Sequence, residues 1–170
     1  MNLKDHIRDV PDFPKPGILF RDITPLLASH HAFLESIEKL AEPWKDTTID
    51  AIAAVEARGF LFAGPLAMKL GVGLIPVRKP GKLPADTISY QYELEYGHDT
   101  LEMRSGLLTP QSRVLIIDDV LATGGTAEAC VNLIQSVKAT VVGCSFLVEL
   151  KGLGGRERLG GHRIETVLQY

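Results

Sequence analysis

One segment near residue 120 constrains the fold of this chain more than any other. Residues 114–126 read VLIIDDVLATGGT: an apolar run leads into Asp118 and Asp119, and a Gly-rich turn then precedes a helical pattern. Such an apolar run is typical of a strand buried on both faces of a parallel sheet. Ligands of open α/β sheets bind beyond the carboxyl ends of such strands. The segment therefore predicts an α/β fold with a ligand site where a central strand ends at the acidic pair.

Apolar runs and helical patterns alternate along the chain, which favours a central, mainly parallel sheet flanked by helices. The predicted strands are 49–55, 74–77, 113–117 and 140–148. The predicted helices are 31–44, 60–70 and 127–138, and Pro65 is expected to kink or delay the second of these. Apolar and polar residues alternate within 87–103 on either side of residues 96–99, which predicts a projecting β-hairpin. A chain of 170 residues without a linker is expected to form one domain over residues 1–170.

Charge and cysteine content argue against several classes of protein. The net charge of −3 provides no positive field for a polyanion, so no nucleic-acid partner is expected. Cys130 and Cys144 form no CxxC pair and no histidines have ligand spacing, so neither a disulfide framework nor a zinc site is expected. The N-terminus lacks an apolar signal region and no apolar stretch approaches ~18 residues, so we expect a cytoplasmic protein without a membrane partner.

The turn after the acidic pair has the composition of a phosphate site. Gly124 and Gly125 let successive N–H groups face an anion, and the threonines beside them add hydroxyl donors at a helix start. The adjacent carboxylates would repel phosphate, and they suit ribose hydroxyls or hydrated Mg²⁺ instead. Together these features predict a sugar-phosphate site, with an Asp-rich turn before a helix as the alternative. A Walker loop would need Gly-Lys-Ser/Thr, and a receiver domain places its acidic pair nearer the N-terminus.

VLIIDDVLATGGT resembles the thirteen-residue signature of the type I phosphoribosyltransferases, which bind 5-phosphoribosyl-1-pyrophosphate. The resemblance implies that Asp118 and Asp119 bind the ribose. The residues that it implies for the 5-phosphate are Ala122, Thr123, Gly124, Gly125 and Thr126. DFPKPGILFRDITPLL, EARGFLF, RKPGKLP, YELEYG and LVELKGLGGRERL are similar to the adenine-specific members of the family. Their similarity implies the type I phosphoribosyltransferase fold with an N-terminal base-binding hood, a homodimer, and Mg²⁺ held mainly through the sugar donor and water.

The same resemblance implies how pyrophosphate is bound. Glu56 and Ala57 would belong to a loop that contacts pyrophosphate, and Arg58 would be a catalytic residue whose guanidinium fork matches a diphosphate. A surface charge at a strand end is the alternative. A non-proline cis peptide is expected between Glu56 and Ala57; the family more often has Ser or Asp nearby, so the backbone must supply the contact. A further set would close over the leaving pyrophosphate: Arg78, Lys79 and Lys82. A solvated basic loop is the alternative, above all for Lys82.

The resemblance also implies a base site and a proton acceptor. Leu19, Phe20 and Arg21 would bind adenine, with Phe20 stacked on the purine, although taken alone Phe20 is more typical of a core. Glu95 would accept a proton from adenine, and Tyr96 would lie beside pyrophosphate. Strand alternation puts Glu93 and Glu95 on one face, so spacing alone does not choose between them, and exposed glutamates on a hairpin are the alternative.

The implied reaction is displacement at C1 of the ribose, in which adenine N9 replaces pyrophosphate and AMP is formed. A phosphoribosyltransferase for hypoxanthine, xanthine or orotate is a second hypothesis, but those relatives generally build the base hood elsewhere. A regulator that only senses the sugar donor is a third. Such a regulator would need a basic surface or an added DNA-binding module, for which 170 acidic-leaning residues leave little room.

Overall fold

The computed structural model describes all 170 residues, which form two compact units, Met1–Lys39 and Leu40–Tyr170. The single domain predicted from the sequence stays a prediction. The first unit contains an antiparallel hairpin of β1 (Arg8–Pro11) and β2 (Leu19–Asp22). Helix α1 (Thr24–Ala28) follows, and α2 (His30–Ala41) begins in this unit. A short 3-10 turn, Glu42–Trp44, continues α2, which accounts for the helix predicted over 31–44.

The second unit is built on a five-stranded parallel sheet. Its strands are β3 (Ala51–Val55), β4 (Gly73–Val77), β7 (Arg113–Leu121), β8 (Thr140–Glu149) and β9 (Ile164–Gln169). They lie in the order β4-β3-β7-β8-β9, and β5 (Thr87–Glu93) pairs with β6 (His98–Arg104) as a separate hairpin. The helices of this unit are α3 (Arg58–Leu70), α4 (Gly125–Ser136) and α5 (Gly155–Arg158). The predicted α/β architecture with a parallel sheet is confirmed.

The apolar runs form the centre of this sheet. All five residues of β3 are buried, and Val114 to Ile117 of β7 are at most 1% exposed. Gly143 of β8 lets a large ring pack directly on the strand, because a Cβ there would lie 2.3 Å from the Trp44 ring. None of the helices combines the length and the apolarity needed to cross a bilayer.

Strand β7 does not end at the acidic pair, so the predicted boundary at 117 is wrong. It continues through Asp118 and Asp119 to Leu121 because β8 goes on pairing with it, up to Leu121 opposite Glu149. Strand β3 has stopped by then, and its last pairing with β7 joins Ala54 to Ile117. The acidic pair therefore lies where β7 has a strand neighbour on one side only.

Helix α3 begins at Arg58 and runs without interruption through Pro65, so the predicted delay is wrong. Proline removes the N–H that would bond to the carbonyl of Leu61, four residues earlier. The Leu61 side chain is 44% exposed, so water can reach this face of the helix and satisfy that carbonyl.

The hairpin turns two residues earlier than predicted. Leu94 N–H donates to the Gly97 carbonyl at 3.0 Å, which leaves Glu95 and Tyr96 as the two central turn residues. Gly97 adopts φ +82°, a left-handed conformation that glycine accommodates and that fixes the turn here. Strand alternation therefore does not apply to Glu95, because it lies at the tip of the hairpin.

Strands β1, β2 and β9 are absent from the sequence prediction. Strands β1 and β2 have four residues each, and β1 ends in proline. In β9 Leu168 alone is buried, so the strand lacks the continuous apolar run of a central strand.

Candidate functional site

The turn between β7 and α4 borders a cavity of about 230 Å³. Its lining consists of Arg58 and the continuous run Asp118–Ala127. Gly124 precedes the helix with φ +83°, and α4 starts at Gly125, so the first amides of a twelve-residue helix have no partner within the helix. The structure thus brings together the acidic pair and residues 122–126 around one cavity whose donors suit an anion.

The acidic pair faces the start of α3. Asp119 is 3% exposed, and its Oδ2 lies 2.9 Å from Nε of Arg58 while meeting no donor at good hydrogen-bonding geometry. Asp118 Oδ1 accepts a bond from the Asp119 amide at 2.8 Å. A Cβ on Gly59 would lie 2.9 Å from that oxygen and 3.4 Å from the Ile117 carbonyl oxygen, so α3 approaches β7 closely at this glycine.

The environment of Asp118 disfavours its ionised form. Burial, and after it the negative charge of the adjacent Asp119, raise the pKa of Asp118 well above the usual range of an aspartate, against smaller opposing effects of the hydrogen bond from the Asp119 amide and of Arg58. Two neighbouring carboxyl groups in a buried site are suited to a ligand that brings hydroxyl donors or a cation.

We expect Asp118→Asn to stabilise the ligand-free protein at alkaline pH. A raised folded-state pKa means that the contribution of Asp118 to stability is full below about pH 4 and is lost as the pH rises through the raised pKa. The asparagine has no such loss. Its Tm should exceed that of the unsubstituted protein by about 3 °C or more near pH 9, and the gap should shrink towards pH 4.

Asp50→Asn is the matched control for this pH series. Hydrogen bonds from Arg113 lower the pKa of Asp50, so its stabilisation is present at neutral pH and is lost as the pH falls. Asp50→Asn should therefore lower Tm near neutral pH and have less effect in acid. A Tm gap for Asp118→Asn that does not grow with pH would contradict the assignment.

The loop after β3 contains the expected cis peptide between Glu56 and Ala57. The Glu56 carboxylate accepts a bond from the Lys79 amide at 2.7 Å and lies 3.3 Å from Nε of Arg78. It is therefore engaged with the start of the basic loop, and binding of substrate by residues 56 and 57 stays a prediction that concerns chiefly their backbone.

The basic side chains after β4 lie in different surroundings. Arg78 donates from Nη1 to the Lys82 carbonyl at 3.3 Å, and the Lys82 side chain is exposed. Lys79 forms an ion pair with Asp99 of β6, which also accepts a bond from Tyr92 at 3.3 Å. The ion pair links the loop that carries Arg78, Lys79 and Lys82 to the β5–β6 hairpin. Closure of this loop over pyrophosphate remains a prediction.

The tip of the hairpin meets the Gly-rich turn at a second cavity, of about 300 Å³. Its lining residues are Tyr92, Glu93, Leu94, Glu95, Thr123, Gly125, Thr126 and Arg158. Glu95, predicted to be catalytic, thus shares a cavity with the predicted phosphate loop. Tyr96 is 87% exposed and does not line it, so its place beside pyrophosphate stays a prediction.

The predicted base-binding residues lie on β2 of the first unit. Phe20 packs edge to face on Phe13, with ring centroids 5.1 Å apart. Arg21 forms an ion pair with Asp9 of β1, and Leu19 is 46% exposed. The β1–β2 hairpin therefore presents an aromatic pair and an exposed leucine, a surface on which a planar base can stack.

Sequence reasoning gave no role to α5, which packs directly behind the Gly-rich turn. A Cβ on Gly155 would lie 2.3 Å from the Ala122 carbonyl oxygen, and one on Gly124 would lie 3.0 Å from the Gly155 carbonyl oxygen. These backbones approach so closely that only glycine fits. The sequence signal for this contact was the pair Gly154-Gly155 within LVELKGLGGRERL. That segment contributed to the family resemblance, but no physical role was assigned to its glycines.

Comparisons with known proteins identify the family of this chain and structures with the same fold. A model of the phosphoribosyl transferase domain matches residues 26–160. The adenine phosphoribosyltransferase of Rhodopirellula baltica is 56% identical over 170 residues, 100% of this chain and 82% of that protein. The crystal structure of adenine phosphoribosyltransferase from Thermoanaerobacter pseudethanolicus has a TM-score of 0.95 and 52% identity, covering 99% of this chain and 98% of its own. The Saccharomyces cerevisiae enzyme, complexed with D-2,5-dideoxy-2,5-imino-altritol 1,6-bisphosphate and adenine, has a TM-score of 0.91 and 39% identity, covering 98% and 96%.

Proposed function

Because the chain belongs to the phosphoribosyltransferase family and has its fold, we infer that it is an adenine phosphoribosyltransferase. It transfers the 5-phosphoribosyl group of 5-phosphoribosyl-1-pyrophosphate to adenine and gives AMP and pyrophosphate. The observation that carries this function is the cavity of Arg58 and Asp118–Ala127, which combines an anion-binding turn with two carboxylates. Relatives of more than half identical sequence bear the same enzyme name over the full length of the chain.

The mechanism rests on placing two substrates and accepting one proton. The amides and hydroxyls of residues 122–126 hold the 5-phosphate, and Asp118 and Asp119 orient the ribose hydroxyls. As the bond from C1 to pyrophosphate breaks, pyrophosphate leaves with the electron pair, and adenine N9 forms the new bond to C1. Glu95 takes the proton that adenine loses, and Arg58 stabilises the charge of the leaving group.

The residues present suit Mg²⁺ that is held chiefly by the substrate. The chain has no group of three or more potential metal-ligating side chains, but Asp118 and Asp119 offer carboxylate oxygens to a hydrated cation. Mg²⁺ bound through the sugar donor and water would neutralise negative charge on pyrophosphate.

Chelation of the metal provides a direct check of this arrangement. We expect EDTA to reduce AMP formation by about 100-fold or more, since charge neutralisation at pyrophosphate contributes several kcal/mol. Because Mg²⁺ in this proposal is held chiefly by the sugar donor and water, Tm in the absence of substrate should not change on chelation. A fall in Tm would contradict the proposal and would indicate a resident structural ion.

The function itself is tested with a panel of bases. The purified protein is incubated with Mg²⁺, 5-phosphoribosyl-1-pyrophosphate and adenine, hypoxanthine, xanthine or orotate, and the nucleotide formed is identified by mass. AMP from adenine, with little product from the other bases, is the expected result. Product from another base in preference to AMP would replace adenine as the substrate, and donor binding without any transfer would favour a sensor.

We further propose that the protein is a cytoplasmic homodimer. Cys130 and Cys144 are both buried free thiols, as expected in a reducing compartment. A dimer is supported by exposed apolar residues: Leu61 and Met68 of α3 are 44% and 86% exposed, and Leu74 of β4, the first strand in the order of the sheet, is 37% exposed. Burial of such side chains between subunits is favourable.

A further inference from the structure

The Gly-rich turn contains no positively charged side chain that could bind a phosphate. Residues 122–126 are Ala, Thr, Gly, Gly and Thr, and the cation on their cavity, Arg58, lies at ion-pair distance from Asp119. A phosphate monoester carries close to two negative charges at neutral pH. A cationic side chain on another element would strengthen its binding considerably.

Arg158 of α5 lies against this turn. A methyl group placed on Gly125 would be 3.4 Å from Nη1 of Arg158 and 3.6 Å from its Cζ. The guanidinium therefore packs beside the first residue of α4, where the free amides of the helix are found. Arg158 also lines the cavity that Thr123 and Thr126 share with the hairpin tip.

Helix α5 is held firmly enough to fix the start of this side chain. Gly155 packs on the Ala122 backbone, as described above, and Arg156 donates to both oxygens of Glu149 at 2.9 and 2.7 Å. Glu149 is 5% exposed and also accepts bonds from Thr166 and Gln169 of β9. The backbone before Arg158 is thus anchored to the turn on one side and to the sheet on the other.

Arg158 forms an ion pair with Glu128, whose negative charge lies near the proposed phosphate site. Arg158 Nε donates to Glu128 of α4 at 2.7 Å. Glu128 lies in the first turn of α4, so its carboxylate would repel an anion bound at the start of the helix. Both side chains of the pair are about 40% exposed. The guanidinium has further N–H donors besides Nε, and these can bind a second anion.

We propose that Arg158 is a further binding residue for the 5-phosphate of the sugar donor, and that it offsets the charge of Glu128 at the same time. The inference rests on the proposed function, because it assigns a residue to the phosphate subsite of that reaction. A phosphate-binding role for Arg158 differs from a purely structural role of the Arg158–Glu128 pair, because in a structural role the loss of either partner would weaken binding equally.

Three variants separate these two roles: Arg158→Gln, Glu128→Gln and the double variant. Titration calorimetry with ribose 5-phosphate, which carries the sugar and phosphate alone, should give a Kd that rises about 10- to 100-fold for Arg158→Gln, as for loss of a charge-assisted hydrogen bond. Glu128→Gln should leave Kd unchanged or lower it, because it removes a repulsion. The KM of the sugar donor should follow Kd, whereas the KM of adenine at saturating donor should not change.

Arg113→Gln is the control, since Arg113 forms a comparable exposed ion pair with Asp50 at the opposite end of β7. It should leave Kd unaltered. Arg158→Lys keeps the charge, should restore much of the affinity, and serves if the glutamine variant fails to fold.

Equal weakening by Arg158→Gln and Glu128→Gln, or an unchanged Kd for Arg158→Gln, would overturn the inference, as would failure of the unsubstituted protein to bind ribose 5-phosphate. Failure of the proposed function has a different signature. In that case AMP would not form from adenine, but ribose 5-phosphate would still bind in a manner that depends on Arg158.

Discussion

Glu95→Gln is expected to lower kcat by about 100-fold or more, the usual range for loss of a general base. Glutamine keeps the shape of the side chain but does not accept the proton that adenine N9 gives up. Glu95 lies at the hairpin tip and lines the same cavity as Thr123 and Thr126, so the change leaves the phosphate turn itself intact. Steady-state kinetics should therefore show a fall in kcat with nearly the same KM for the sugar donor.

Glu93→Gln is the matched control, because Glu93 lines the same cavity but ends the strand β5. Its kcat should stay within about threefold of the unsubstituted value, as for a side chain that binds no proton in the reaction. If the two variants exchange these phenotypes, Glu93 is the proton acceptor. Full activity in both would remove the hairpin from the proton transfer.

Gly155→Ala is expected to raise the KM of the sugar donor by about 100-fold, since a misplacement near 1 Å can cost that much. The new Cβ would lie 2.3 Å from the Ala122 carbonyl oxygen and 2.8 Å from Cδ1 of Leu121. The turn or α5 must move to relieve this clash, and the amides proposed to bind the phosphate move with the turn. The strain should also lower the free energy of unfolding by about 1–3 kcal/mol, measured by urea denaturation.

Gly64→Ala provides the control for this substitution. Gly64 lies inside α3 and a Cβ there meets nothing within 4 Å, so alanine should stabilise the helix by about 0.5–1 kcal/mol and leave KM unchanged. A Gly155→Ala variant that is destabilised but keeps its KM would show that α5 supports the fold without shaping the phosphate site.

The sheet was predictable because burial on both faces leaves a strong local signal. The apolar runs in β3, β7 and β8 each consist of residues that must avoid water, and alternation with helices then favours parallel pairing. The Gly-rich turn was predictable for a similar reason, since its conformation depends on the residues within it. Gly124 with φ +83° is one example.

Features that depend on distant parts of the chain were not predictable. The end of β7 is set by pairing with β8, and the contact of Gly155 with Ala122 joins segments 33 residues apart in the sequence. The hairpin turn was placed two residues late because alternation continues through YELEYG, and the true turn is evident only from the Leu94–Gly97 hydrogen bond and the left-handed Gly97. The engagement of Glu56 with the Lys79 amide also has no local signal.

The unequal lengths of neighbouring strands determine how deep the ligand can sit. Four residues of β7, from Asp118 to Leu121, extend past the last pairing with β3, which creates a step about 13 Å long at ~3.3 Å per residue. Lengthening or shortening β7 by two residues would change the step by about 7 Å while every side chain kept its face. A change of one residue would instead turn the aspartates over, so the step can vary only in pairs of residues.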